Sequence, residues 1–273
     1  MNIIKLFDSF NLDNKSEEQQ DIYMSRKEVF RKMGGFAKNA ALASLPLAAF
    51  TAMPVMAFAG TSEVMDVLKF ALTLERLEYK FYEKGLSSGV IAQEDMNIFK
   101  AIRDHEKAHV EILETTIQSL GGNLEDVPGK FDFTAEGRLP SPFEYYDLFM
   151  ALSQAFEDTG VRAYKGQAPN LMDNDALLTV ALQIHSVEAR HAAQIRRMRG
   201  EKGWISEVDG IEGLGYEFMD ASMPVYAGEE NTTHAGVNVT KVTQISANAV
   251  KEAWDEPLSK QAVVDIVKIF LVS

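Results

Sequence analysis

The chain has 273 residues, of which 46% are hydrophobic and 25% are charged, as is typical of a globular protein. The formal net charge of −13 argues against a nucleic-acid partner, because phosphate recognition needs a basic face. The chain has no cysteine, which excludes disulfides, thiolate nucleophiles, iron–sulfur clusters and cysteine zinc sites. Any metal site must therefore use His, Asp, Glu or backbone oxygens.

Residues 1–59 have the pattern of an export leader. A basic cluster at residues 25–32 precedes an apolar, alanine-rich stretch at 40–59, which ends in a small-x-small sequence. The basic cluster resembles the twin-arginine export signal, with Lys27 where the second arginine is usual. We expect the leader to engage the export machinery and to be removed, which predicts a periplasmic or other extracytoplasmic protein. There are two alternatives: an ordinary export leader with a long N-terminal region, and an uncleaved membrane anchor.

Four later segments space their apolar residues by three and four, as amphipathic helices do. They cover about residues 62–86, 93–120, 141–165 and 173–202. Ser141 followed by Pro142 predicts the start of the third helix, since proline suits the first helical position.

The connections predict how these helices are arranged. Residues 121–141 are rich in Gly, Pro and Asp and predict a long crossover, whereas the other two connections are short. A four-helix bundle with one crossover has this pattern. We therefore predict an all-α fold with the bundle at residues 60–202. Residues 203–240 are expected to be irregular and 257–271 to form a last amphipathic helix, so that 203–273 is an extension packed on the bundle.

Each predicted helix carries one glutamate within its apolar stripe. These residues are Glu75, Glu106, Glu157 and Glu188. An unpaired buried carboxylate costs several kcal/mol or more, so its presence there indicates a partner. His109 and His191 follow the second and fourth glutamates by three residues, on the same helix face. One Glu and one His at this spacing can hold the same ion.

The pattern is repeated along the chain. Glu75 and Glu157, Glu106 and Glu188, and His109 and His191 are each separated by 82 residues, as are two tyrosines, Tyr82 and Tyr164. Two helical hairpins related in this way would present their ligands symmetrically. A single Glu-x-x-His is common on helix surfaces, but the repeated pattern predicts a site for two metal ions.

This arrangement resembles the ferritin-like superfamily of di-iron and di-manganese carboxylate proteins. The segment 71–79, together with 255–260, is similar to an exported ferritin-like group that includes desiccation-related proteins. The resemblance implies that Glu106 and Glu188 bridge two ions and that each histidine holds one of them. It also implies that Tyr82 and Tyr164 donate hydrogen bonds to carboxylates and that Glu75 and Glu157 are the carboxylates contributed by the two helices without a ligand histidine.

Several neighbouring residues leave alternatives open. Glu78 lies one turn after Glu75 and can replace or assist it, although the spacing of Glu157 to Tyr164 favours Glu75. His105 is expected on another helix face, and His185 is a candidate for contact with a ligand. Tyr79 and Phe81 are assigned to core packing, and Asp158 and Glu111 to the solvated surface.

Four carboxylates and two imidazoles suit iron best, with manganese as the alternative. The resemblance implies a reaction with O2 or peroxide, such as iron oxidation, peroxide removal or dismutation. A stress protein that binds metal without turnover is the second hypothesis. The sequence leaves open whether the chain forms a homo-oligomer.

Overall fold

The computed structural model describes residues 62–206 and 224–272, and the predicted export leader at 1–59 lies outside these ranges. The bundle contains four long helices: α1 Ser62–Ser88, α2 Met96–Ser119, α3 Tyr146–Gln167 and α4 Asp175–Met198. Helix α1 packs along α2, and α3 packs along α4, with the crossover between the two hairpins. The prediction of an all-α bundle with one crossover is therefore confirmed.

The third helix begins later than predicted. Ser141 does not cap it; its Oγ accepts a hydrogen bond from the Phe143 backbone N–H, and its carbonyl accepts one from the Glu144 N–H. These bonds form a turn that precedes the helix and leaves Phe143 buried. Ser-Pro suits such a turn as well as a helix start, so local sequence alone does not distinguish the two.

Aromatic side chains fill one end of the bundle. We call this set the aromatic cluster, and it consists of Phe81, Phe99, Phe133, Phe143, Phe149, Phe156 and Phe270. The rings of Phe81 and Phe149 stack with centroids 4.8 Å apart, and Phe99 meets Phe149 edge-on at 5.0 Å. Packing of this kind adds to the free energy gained by burying the ring area.

The extension contains small elements. Strands β1 Thr233–His234 and β2 Val237–Asn238 form an antiparallel hairpin in a region that was predicted to be irregular. Helices α5 Ala247–Lys251 and α6 Lys260–Val267 follow, and Ser259 caps α6 through a bond from the Ala262 N–H. None of the helices within 62–206 and 224–272 is long and apolar enough to cross a bilayer.

Buried polar contacts attach the extension to α3. The Arg162 side chain is fully buried; it donates hydrogen bonds to the backbone carbonyls of Val225, Ala227 and Glu256, and it pairs with Glu229 at 2.9 Å. These contacts leave the guanidinium paired although it is removed from water.

Close backbone packing adds a second point of attachment. A Cβ at Gly166 would lie 1.9 Å from the Leu258 carbonyl oxygen, so only glycine permits this approach of the two backbones. The extension thus lies directly on the helix that carries Glu157.

Candidate metal centre

The six predicted ligands converge at the middle of the bundle. The four glutamates, Glu75, Glu106, Glu157 and Glu188, have no exposed surface, and the two histidines are 8% and 5% exposed. Buried apolar residues flank them along each of the four helices. The structure therefore places all six side chains in one buried cluster.

The donor atoms form two groups that overlap. The first comprises Glu75, Glu106, His109 and Glu188, and the second comprises Glu106, Glu157, Glu188 and His191. Within each group the candidate ligand atoms lie within 4.8 Å of one another. Glu106 and Glu188 belong to both groups, so their carboxylates lie between two adjacent positions that can each hold a cation.

Each histidine directs the same ring nitrogen into the cluster. His109 Nδ1 lies 3.0 Å from Glu75 Oε2, 3.1 Å from Glu106 Oε2 and 3.2 Å from Glu188 Oε1. His191 Nδ1 lies 2.8 Å from Glu106 Oε1 and 3.2 Å from a Glu157 oxygen. A metal ligand needs its lone pair aimed at the ion, and Nδ1 of both rings has that direction.

The two tyrosines bond across the bundle. The Tyr82 hydroxyl donates to Glu157 Oε1 at 2.5 Å, and the Tyr164 hydroxyl donates to Glu75 Oε1. Each tyrosine thus donates a hydrogen bond to a glutamate of the other helical hairpin, which is the symmetry expected from the 82-residue spacing. Both hydroxyls fix an oxygen of a carboxylate that belongs to only one of the two donor groups.

Residues 63–201, just over half of the chain, match the family model described as a ferritin-like domain. The chain belongs to the ferritin-like domain family. A search of curated proteins found no match. The family match covers the ferritin-like bundle and ends just before the extension.

The ferritin-like site can hold metal ions, as its unsatisfied oxygen atoms indicate. Oε2 of Glu188 and Oε2 of Glu78 are buried and accept no hydrogen bond. Buried acceptors left in this way cost free energy, and a cation coordinated between them would remove that cost. Four carboxylates and two neutral imidazoles also balance the charge of two divalent cations.

Glu78 is part of the ferritin-like cluster in addition to Glu75, not in place of it. Its side chain is 2% exposed, and it lies beside Glu188. The position 82 residues later is Gly160, where a Cβ would lie 3.3 Å from Glu78 Oε1 and 3.1 Å from Glu188 Oε2. The absence of a side chain at Gly160 leaves room for this carboxylate, so the cluster has a fifth glutamate with no symmetry mate.

Two further histidines have different surroundings. His105 is exposed, but its Nδ1 lies 2.9 Å from Nε2 of His191, and the two rings stack with centroids 5.2 Å apart. The sequence prediction placed His105 on another face and missed this contact with a candidate ligand. His185 Nδ1 lies 3.0 Å from the Val161 carbonyl oxygen, and His185 belongs to neither donor group.

Burial and neighbouring charges shift the pKa values in the cluster. Burial raises the pKa of Glu75 to about 7, against the opposing charge of His109, and it raises that of Glu188 well above its usual value. Burial alone would lower the pKa of the histidines, but the facing carboxylates raise that of His191 to about 11. Burial would also raise the pKa of Glu106, but hydrogen bonds from the histidines bring it below its usual value. The raised pKa of His191 therefore favours its protonated form when no cation is bound.

Metal binding is expected to release protons and to strengthen as the pH rises. His191 is protonated at neutral pH, because its pKa is raised to about 11, and the facing carboxylates raise the pKa of His109 as well. A cation must displace the protons from Nδ1, so the apparent affinity should increase from about pH 6 to about pH 8. Calorimetric titration with Mn2+ in buffers of different ionisation enthalpy measures the protons released. An affinity independent of pH, with no buffer dependence of the heat, would contradict this expectation.

Proposed function

We propose that this chain is an exported ferritin-like protein with a dinuclear metal centre that reacts with O2 or peroxide under oxidative or metal stress. The overlap of the two donor groups at Glu106 and Glu188 carries this proposal. Carboxylates shared by two adjacent cation positions allow the ions to act together on one small molecule. Iron oxidation and peroxide removal are the candidate reactions.

Iron is the ion we propose first, with manganese second. The donor set is made of carboxylate oxygens and imidazole nitrogens, which suit Fe2+ and Mn2+. The chain has no cysteine, so a built-in thiolate iron site for electron supply is excluded. Electrons would therefore come from the metal substrate itself or from a separate donor.

The protein residues supply binding, orientation and exclusion of water. The four glutamates and two histidines would hold the ions, and a bound pair of redox-active ions would supply electron exchange with O2 or peroxide. Tyr82 and Tyr164 keep Glu157 and Glu75 in place through their hydroxyl hydrogens. Burial raises the pKa of both tyrosines, as do the carboxylates they contact, so both hydroxyls stay protonated as donors.

Export is part of the proposal and is supported by the composition of residues 1–59, which lie outside the described ranges. The N-terminus of protein purified from the native host tests whether the leader is removed. A chain that begins near residue 60 would support cleavage of the leader, and one that begins at Met1 would contradict cleavage.

Metal analysis followed by turnover assays tests the function. Protein from the native host is analysed for metal, and then assayed for Fe2+ oxidation by O2 and for H2O2 consumption. The double substitution His109→Ala and His191→Ala is expected to abolish both metal binding and turnover. His185→Ala is the matched control, because this histidine is partly buried on α4 but outside the donor groups.

The outcomes separate the two hypotheses. Two ions per chain with turnover that the double substitution abolishes would support the proposal. Two ions without turnover would favour the protein that binds metal in stress without catalysis. Wild-type protein that binds neither iron nor manganese would overturn both.

A further inference from the structure

A small apolar cavity lies at the end of the bundle opposite the aromatic cluster. It has about 30 Å³ of space, and all four helices line it. The lining includes Val67, Ala71, Leu113, Ala163, Tyr164 and Ala181. Along each helix these residues lie on one side of the metal ligands, whereas the residues of the aromatic cluster lie on the other side.

The cavity exists because the two symmetric ends of the bundle are filled differently. At the 82-residue spacing, Phe81 corresponds to Ala163, and Phe99 corresponds to Ala181. Phe149 corresponds in the same way to Val67. The three phenylalanines pack against one another around Tyr82, while their small counterparts leave open space beside Tyr164. Proteins pack their interiors densely, so this difference between equivalent positions is a specific feature of the chain.

The cavity does not suit water. Of the polar side chains in its wall, the Thr116 hydroxyl donates to the Ile112 carbonyl, and the Tyr164 hydroxyl donates to Glu75. The third, Gln167, accepts a hydrogen bond from the Asn170 side chain through Oε1. A buried water needs two to four polar partners, whereas apolar cavities stay dry and take up apolar ligands such as xenon. About 30 Å³ exceeds the roughly 10–15 Å³ that one water needs, so a diatomic molecule fits.

The cavity also adjoins the metal ligands. Tyr164 forms part of its wall and binds Glu75 through its hydroxyl. Leu74, the residue before Glu75, and Ala71, one turn earlier on α1, line the cavity as well. Tyr164 therefore contacts both the cavity and a candidate metal ligand.

We propose that this cavity binds a small apolar molecule and that dioxygen is the reactant it supplies to the metal centre. This inference rests on the proposed function and narrows the reactant from O2 or peroxide to O2. Both hydroxyl groups of H2O2 would lose their hydrogen bonds to water on entering an apolar cavity, which is costly, whereas O2 loses none.

Xenon binding tests the cavity without any turnover. Metal-free wild-type protein is expected to show one bound xenon at this position, in xenon-pressurised crystals or by 129Xe chemical shift. Ala181→Phe places the side chain of the opposite end into the cavity and should abolish this binding. Phe99→Ala, the reverse change at the matched position, should retain it. Since added volume can strain a core, Ala181→Leu is the second filling variant, and helical circular dichroism checks the fold of each.

Kinetics with the iron-loaded protein test the assignment to dioxygen. Ala181→Phe or Ala181→Leu should lower the rate constant for reaction with O2 several-fold, with unchanged metal content and an unchanged dependence on added H2O2. No xenon in the wild-type cavity would overturn the inference and leave the proposed function standing. Bound xenon with an O2 rate unaffected by filling would overturn the role in dioxygen supply. Bound xenon in a protein that reacts with neither O2 nor H2O2 would instead overturn the proposed function.

Discussion

Replacing Glu106 with alanine is expected to reduce the metal content from two ions per chain to one or fewer. Glu106 belongs to both donor groups, and its two oxygens lie near Nδ1 of His109 and of His191. Removing it takes a ligand from both cation positions at once, whereas removing Glu75 or Glu157 takes a ligand from only one. Equilibrium dialysis against Mn2+ or anaerobic Fe2+, followed by elemental analysis, measures the number of ions retained.

Glu111→Ala is the matched control for this substitution. Glu111 is an exposed glutamate on the same helix, and its carboxylate lies 3.6 Å from Lys107 in a solvent-exposed pair. The control variant should keep both ions. If Glu106→Ala also keeps two ions at wild-type affinity, the carboxylate is not shared between two metals and the dinuclear interpretation is wrong.

Replacing Arg196 with methionine is expected to lower the free energy of unfolding by about 3–5 kcal/mol, the usual effect of breaking a buried ion pair. Arg196 is 1% exposed and Asp158 is 2% exposed. The guanidinium donates from Nε to Asp158 Oδ1 at 3.1 Å and from Nη2 to the other oxygen. Without it, Asp158 loses both of these hydrogen bonds and keeps the one from the Tyr226 hydroxyl. Urea denaturation of the full metal-free chain measures the loss.

Two comparisons show whether the loss of stability comes from the buried charge of Asp158. The double variant Asp158→Asn with Arg196→Met should be more stable than Arg196→Met alone, because it also removes the buried carboxylate charge that Arg196 faces. Lys107→Met, which breaks the exposed pair with Glu111, should change the free energy of unfolding by at most about 1 kcal/mol. An Arg196→Met variant as stable as Lys107→Met would show that the buried pair contributes nothing measurable.

The helices and the cluster could be predicted because their signals are local or repeated. Burying a carboxylate in an apolar helix face costs enough free energy that its presence there indicates a partner. The 82-residue spacing then predicts that the ligands of the two hairpins belong to one cluster. The same spacing joins Tyr82 to Tyr164, and the structure shows both hydroxyls on carboxylates. The sequence favoured Glu75 over Glu78, whereas the structure places both in the cluster. The space that accommodates Glu78 depends on Gly160, a residue on another helix.

Other features depend on partners that periodicity does not reveal. Asp158 was assigned to the solvated surface, which is wrong, since its carboxylate is buried against Arg196 and Tyr226. These partners lie 38 and 68 residues away in sequence, on α4 and in the extension. The contact of His105 with His191 spans 86 residues and follows from how α2 and α4 are placed side by side. Sequence patterns report which face of a helix is buried, but not which element covers it.

The contacts between Arg162 and the extension bear on where this protein can be truncated. The family match ends at residue 201, yet the four hydrogen-bond and ion-pair partners of this buried guanidinium described above all come from residues 225–256. A fragment that stops at the family boundary would lose Glu229 and the three carbonyl acceptors and would open the guanidinium to water, with Asp158 as a remaining acidic neighbour. The unit defined by family resemblance therefore omits residues 225–256, which cover and pair a buried side chain of α3.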